Sequence, residues 1–192
     1  IYDPDPYQAI LNAKAQNAII QHNHPGWRRT KLGFSEWQKK VYGEGLVDGV
    51  EVVNGDEIYP GIVDRCVQGG MYITANTDIH ATTAADYRVN GTDRPMTLIF
   101  AKDQSLESVR EALEAKRTLA YAGGYICGNE QLLKDLFLAS IKYEVIGTDK
   151  KGTRTVRLTN MYSIPFQYKT SKNALPVDLK PHHSIQINVA KG

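Results

Sequence analysis

Two short polar clusters contain residue types that bind metal ions. The first runs from Gln21 to Trp27 and places His22 two residues before His24, and the second runs from Asn76 to His80 and places Asp78 two residues before His80. Side chains two apart on a strand share a face, so each pair can point in one direction. Imidazole and carboxylate groups together suit Zn²⁺, Mn²⁺ or Fe. The two pairs are therefore candidate metal ligands.

Each of these side chains also has an ordinary structural explanation. His24 precedes Pro25 and could be a turn residue. His22 could be a core histidine that is hydrogen-bonded to backbone groups, and Asp78 could cap the segment that follows it. His182 and His183 lie beside a proline and are expected to be exposed turn residues.

The elements around the clusters predict an α/β fold. Helical patterns cover 6–17, 34–43, 58–68 and 106–116, and short apolar runs typical of buried strands cover 18–22, 48–53, 71–77, 97–101 and 118–122. Strands separated by helices favour right-handed βαβ units and a parallel sheet. A closed eight-stranded barrel takes about 250 residues, so this sequence holds at most part of one.

Both polar clusters follow predicted strands, which places them at the carboxyl ends of those strands. Ligands and catalytic groups of parallel α/β proteins collect at that edge of the sheet. We therefore expect the two clusters to lie near each other. A polar loop is predicted over 81–94.

The pattern changes after residue 128. An amphipathic helix is predicted over 129–142, and alternating segments follow at 143–147, 153–160, 164–170 and 184–190. We divide the chain into 1–128, which holds the α/β part, and 129–192, which holds the helix and a small antiparallel β domain.

Several other side chains could contact a substrate. Arg28, followed by Arg29 and Lys31, could bind a phosphate, although a solvated basic loop has the same composition. Trp27 could stack on a substrate ring or pack under the loop. Arg117 could reach phosphate from the last strand or serve at the surface. Glu51, on a predicted strand, could orient a metal ligand.

Composition excludes some classes of partner. The chain has 192 residues, a formal net charge of +2 and 23% charged residues. This charge argues against a nucleic-acid partner. No segment reaches the roughly 20 apolar residues needed for membrane insertion. The chain shows no signal peptide, although a cleaved one would leave no trace, so cytoplasm and periplasm both stay open.

The order of the motifs resembles a known family. His24-Pro25-Gly26-Trp27, the run 48–55 and Thr77-Asp78-Ile79-His80 are similar, in order and separation, to the later motifs of PHP (polymerase and histidinol phosphatase) phosphoesterases. The stretches 94–97 and 105–118 look like the end of that domain. The similarity covers about residues 1–125, and the likeness is to a bacterial subgroup in which a small β domain follows.

The resemblance implies a fold, a metal site and an activity. The fold would be the later βα units of an incomplete PHP-type (β/α)7 barrel, with two or three Zn, Mn or Fe ions in the complete site. His24, Asp78 and His80 look like metal ligands, with His22 as a further candidate, and Asp78 and His80 would be catalytic. The substrate would be a phosphorylated small molecule or a phosphodiester, with Trp27, Arg28 and Arg117 as candidate contacts.

The family also needs an early His-x-His motif and a middle Glu and His, which have no counterpart in this sequence. We therefore expect a preceding N-terminal segment to supply them, and a partial barrel to associate with that segment or with a second copy. Two other classes of function stay open. One is an amidohydrolase-type metal hydrolase, and the other is a binding protein without catalysis that recognises a sugar or a partner.

Overall fold

The structure of the chain, a computed structural model, describes residues 3–27, 34–83, 85, 94–169 and 175–190. Contacts divide the chain into a first unit, Ile1–Leu132, and a second unit, Leu133–Gly192. Most of the predicted loop 81–94 lies outside the described residues, as do Arg28, Arg29 and Lys31.

Helices and strands alternate in the first unit. The helices are α1 (Pro6–Ala15), α2 (Glu36–Gly43), α3 (Pro60–Gln68) and α4 (Leu106–Glu114). The strands are β1 (Gln21–His22), β2 (Gly49–Asn54), β3 (Glu57–Ile58), β4 (Tyr72–Asn76), β5 (Met96–Ile99), β6 (Thr118–Ala122) and β7 (Tyr125–Gly128). This is the mixed α/β composition that the sequence predicts.

Local sequence signals explain where the helices begin. Ser35 and Gln38 form a reciprocal capping box at the start of α2. The side chain of Ser105 accepts the Ser108 N–H at the start of α4. A proline occupies the first turn of α1, where the missing N–H leaves no helical bond unmade.

Strands β1, β2 and β4 form a parallel sheet. His22 is the register partner of Val50, and Glu51 is the partner of Thr74. Both faces of β2 are covered, because Val50, Glu51, Val52 and Val53 are all buried. The short antiparallel strand β3 returns along the end of β2 after the Asn54-Gly55 turn.

The prediction of an entirely parallel sheet is wrong for the last strands of this unit. β5 pairs antiparallel with β6, and β6 pairs antiparallel with β7. Helix α4 connects β5 to β6, and the two ends of this connection are held together because the Phe100 N–H donates to the Arg117 carbonyl at 3.0 Å. Gly123 and Gly124 have φ angles of 57° and 81°, which a two-residue hairpin turn requires.

Two threonines connect these strands to β4 and show their directions. The Ile73 N–H donates to Thr118 Oγ1 at 3.0 Å, and the Ala75 N–H donates to Thr97 Oγ1 at 3.0 Å. The start of β6 thus lies beside the start of β4, whereas the start of β5 lies beside the end of β4. We call the edge where β1, β2 and β4 end the carboxyl edge, and β5 begins there. No closed barrel is formed by the strands in the described ranges.

The second unit contains antiparallel strands. Helix α5 (Glu130–Ser140) leads into β8 (Ile141–Thr148), followed by β9 (Arg154–Asn160), β10 (Phe166–Tyr168), β11 (Val177–Leu179) and β12 (Ser184–Val189). β9 lies between β12 and β8, and β10 pairs with β11. The buried Asn160 amide donates to the carbonyls of Ile164 and Leu179. In the described part of the chain, every helix is too short or too polar to cross a bilayer.

The core of the first unit gives a stability prediction. Leu119 on β6 is fully buried, whereas Leu106 at the start of α4 is 79% exposed. We expect Leu119→Ala to lower the free energy of unfolding by about 2–5 kcal/mol, because it removes buried methyl groups and leaves a cavity.

Urea denaturation checks this expectation. The matched variant Leu106→Ala should stay within about 0.5 kcal/mol of the wild type, since its side chain contributes little to the core. Equal losses in the two variants would contradict the burial seen here.

Candidate metal centre

The centre of the candidate site is the carboxylate of Glu51, which is 1% exposed. It accepts the backbone N–H of His24 at 2.6 Å, and the same oxygen lies 2.8 Å from His24 Nδ1. A buried carboxylate is costly unless hydrogen-bond donors surround it. The His24 turn therefore supplies donors that stabilise the buried Glu51 carboxylate, and the carboxylate in turn holds the turn in place.

Two asparagines complete the surroundings of this carboxylate. Asn54 and Asn76 end the adjacent strands β2 and β4 and are register partners. Asn76 Nδ2 donates to Glu51 Oε1 at 2.8 Å, and Asn54 Nδ2 donates to Glu51 Oε2 at 3.2 Å. Each oxygen of the buried group thus receives a side-chain donor from the end of a strand.

The tautomer of His24 follows from these contacts. Asn54 Nδ2 also lies 2.8 Å from His24 Nδ1. If Nδ1 lacked a proton, its lone pair would face the Glu51 oxygen at 2.8 Å, which is repulsive. The Asn54 amide is itself a donor and would need a lone pair on Nδ1, so the two contacts favour opposite tautomers. We assign the proton to Nδ1, because the Asn54 amide can donate to Glu51 Oε2 instead, whereas the carboxylate has no proton to give. Nε2 of His24 is then a lone-pair donor, as a metal-binding imidazole needs.

A register shift in β2 helps to aim Glu51. Glu51 pairs with Thr74, but Val53 pairs with Ala75, so Val52 is an extra residue in the ladder. A bulge of this kind bends a strand and redirects a side chain. The bulge lies one residue from Glu51, and we infer that it sets the direction of this carboxylate.

His24 and Asp78 approach each other at the carboxyl edge. Nε2 of His24 lies 3.9 Å from Oδ1 of Asp78, and the side chains are 38% and 45% exposed. Both residues have a φ of 51°, in the left-handed region that non-glycine residues rarely adopt. The two predicted ligands that converge are thus also held in strained backbone conformations.

The distance between His24 Nε2 and Asp78 Oδ1 can be compared with the spacing of two ligands of one metal ion. Donor atoms that each lie about 2.0–2.2 Å from one metal ion are at most about 4.4 Å apart. The observed 3.9 Å fits two ligands of a shared ion. Within the described residues, no three His, Cys, Asp or Glu side chains form a group that could hold a metal. His80, which is exposed, is therefore not joined to this pair, and its role as ligand stays a prediction.

His22 is placed differently from the other predicted ligands. Gln38 Oε1 accepts the Ser35 N–H, so its Nε2 is the atom that faces His22 Nε2 at 3.3 Å. His22 Nδ1 lies 2.7 Å from the Tyr42 hydroxyl, where it can donate. Both ring nitrogens are engaged beside a cavity of about 130 Å³. His22 is thus partly buried and contacts side chains, where backbone partners were expected, and its role as a further metal ligand stays a prediction.

The predicted substrate contacts have mixed outcomes. Trp27 is 58% exposed at the end of the His24 turn, and its stacking role stays a prediction. Arg117 lies at the start of β6, away from the carboxyl edge, where it bonds to Glu111 and to the Phe100 carbonyl. The bond to Glu111 raises the pKa of Arg117. The role of Arg117 as a substrate contact stays a prediction, and Arg28 lies outside the described residues.

Comparison with solved structures finds similarity to a PHP-like protein. No protein-family model matches the sequence, and no curated protein matches it. A solved structure from Bacteroides vulgatus, a two-domain protein containing a predicted PHP-like metal-dependent phosphoesterase, has 30% identity and a TM-score of 0.88. The similarity is to a PHP-like protein. It covers 98% of this chain and 58% of that one, so this chain spans less than two thirds of that protein's length.

The turn that carries His24 gives a second prediction. Pro25 and Gly26 are buried, and a Cβ added to Gly26 would lie 2.1–2.9 Å from ring atoms of Tyr59. We expect Gly26→Ala to lower the free energy of unfolding by about 1–3 kcal/mol through overpacking. It should also displace the His24 imidazole from Glu51.

Two measurements check this variant. Urea denaturation reports the stability, and imidazole ¹⁵N NMR reports whether the Nδ1–H form of His24 persists. Gly61→Ala is the control, because a Cβ at Gly61 in α3 meets no atom within 4 Å. That variant should be neutral or slightly stabilising. A wild-type His24 spectrum in Gly26→Ala would show that Tyr59 does not position the turn.

Proposed function

We propose that this chain is part of a metal-dependent phosphoesterase of the PHP type that hydrolyses phosphate mono- or diesters. The observation that carries the proposal is the pair of donors, His24 Nε2 and Asp78 Oδ1, 3.9 Å apart at the carboxyl edge. The 30% identity to a two-domain protein containing a predicted PHP-like phosphoesterase supports it.

His24 and Asp78 are the side chains that would hold the metal ion. A divalent cation there would ionise a water molecule near neutral pH and neutralise the charge of phosphate oxygens. We propose Zn, Mn or Fe in this role, with two or three ions in the complete site. His80, two residues beyond Asp78, is the proposed further ligand.

The remaining residues of the site act on His24 itself. In the tautomer assigned above, Glu51 accepts the Nδ1–H, which leaves the Nε2 lone pair free for the metal ion. Asn54 and Asn76 hold the two oxygens of Glu51 in place. Carboxylate–histidine pairs of this kind fix the ring orientation and raise the basicity of a metal-binding imidazole.

The number of metal ligands that this chain provides indicates whether further residues are needed for an active site. A catalytic zinc site has three protein ligands, whereas two donors converge in the described residues. We propose that this chain supplies the later ligands of a PHP-type barrel, and that residues outside this sequence, or a second copy, supply the rest. Mass spectrometry of the natural protein gives its full extent and tests this part.

A metal-binding experiment tests the proposed site. We expect stoichiometric Mn²⁺ or Zn²⁺ on the wild type by calorimetry and elemental analysis. Glu51→Gln should bind the metal about 10- to 100-fold more weakly, because an amide cannot accept from all the donors that Glu51 satisfies. His24→Ala should lose more, since it removes a ligand.

His183→Ala is the matched control, because it removes an exposed imidazole from the second unit. Its metal affinity should equal that of the wild type. The companion assay is metal-dependent turnover of p-nitrophenyl phosphate and bis(p-nitrophenyl) phosphate. A wild-type protein without bound metal and without turnover would contradict the proposal and leave a non-catalytic binding protein.

A further inference from the structure

A polar hollow of about 360 Å³ opens at the carboxyl edge beside the candidate metal centre. It lies between the end of β4, at Asn76 and Thr77, and the start of β5, at Arg94 and Thr97. Arg94 is the only charged side chain among the described residues that line it. A positive side chain with no acidic neighbour in this lining suits an anionic ligand better than a cation.

The hollow is connected to His24 by hydrogen bonds. Glu51 Oε2 binds the His24 turn, and Glu51 Oε1 accepts from Asn76, whose side chain lines the hollow. Thr77, on the same wall, is adjacent in sequence to Asp78. The hollow is therefore linked to the candidate metal centre through one side chain, Asn76, which donates to Glu51.

Most donors of the hollow already have partners. Asn76 Nδ2 donates to both Glu51 and Thr74. The Thr97 hydroxyl donates to the Ala75 carbonyl and accepts the Ala75 N–H. Arg94, which is exposed, makes no hydrogen bond or ion pair with another residue of the described ranges. Its five N–H donors have no partner among the described residues and can therefore recognise a ligand.

We propose that this hollow is an oxyanion subsite in which Arg94 binds the phosphoryl group of the substrate. A planar guanidinium can form two parallel bonds to phosphate oxygens and is less strongly hydrated than an ammonium group. The identity of the anion as a substrate phosphoryl group rests on the proposed function. The binding of an oxyanion by Arg94 does not.

Inorganic phosphate is the probe, and the first titration uses protein stripped of metal with EDTA. Calorimetry should show phosphate binding to the wild type and a loss of about tenfold or more in Arg94→Gln. Arg94→Lys keeps the charge but loses the paired bonds, so it should be intermediate. The matched control Arg154→Gln removes an exposed arginine from the second unit and should bind as the wild type does.

The outcomes separate the subsite from the proposed function. Equal phosphate affinity in the wild type and in Arg94→Gln would overturn the proposed subsite. It would also be overturned if the wild type bound no phosphate, either with Mn²⁺ or without it. Phosphate binding through Arg94 in a protein that neither binds metal nor turns over esters keeps the subsite and rejects the function. In an active protein, Arg94→Gln should raise KM for p-nitrophenyl phosphate about tenfold with unchanged Mn²⁺ affinity. An unchanged KM rejects Arg94 as a substrate contact.

Discussion

The buried carboxylate of Glu51 is the group on which the candidate site depends. It is enclosed by hydrophobic neighbours on β2, yet it receives donors from the His24 turn and from the ends of two strands. Removing the Asn76 amide would take away the side-chain donor of Oε1, and an unsatisfied buried acceptor costs about 1–3 kcal/mol, more for a charged group. The geometry of the His24 imidazole is therefore coupled to the core of the sheet.

This coupling explains how strained residues can persist at an exposed edge. His24 and Asp78 both have a φ of 51°, a conformation that is unfavourable for residues other than glycine. The turn at His24 is held by the Glu51 carboxylate on one side and by the ring of Tyr59 against Gly26 on the other. Because the surroundings over-determine the turn, they hold the His24 imidazole in one orientation.

The sequence predicts the helices and strands well where local signals are strong. The helical patterns over 34–43 and 106–116 and the apolar run over 48–53 place α2, α4 and β2 within a few residues of the structure. The pairing of His24 with Glu51 was foreseen only as a role for Glu51 in orienting a ligand. Asn54 and Asn76 were not foreseen as its partners, because their contact depends on the register of β2 against β4. Register is a property of the sheet and cannot be read from either segment alone.

Strand direction is the other property that local sequence leaves undetermined. In this protein it decides that Arg94, and not Arg117, lies at the carboxyl edge. Arg94 and Arg117 each stand shortly before a strand, so a parallel sheet would place both at the edge opposite the carboxyl edge. β6 does run alongside β4, and Arg117 accordingly pairs with Glu111 away from the carboxyl edge. β5 runs the other way, so the residues before it arrive beside Asn76 and Thr77. The reversal of β5 thus accounts for the unforeseen position of Arg94. Arg117 needs no such explanation, because it lies where a strand parallel to β4 places the residue before it.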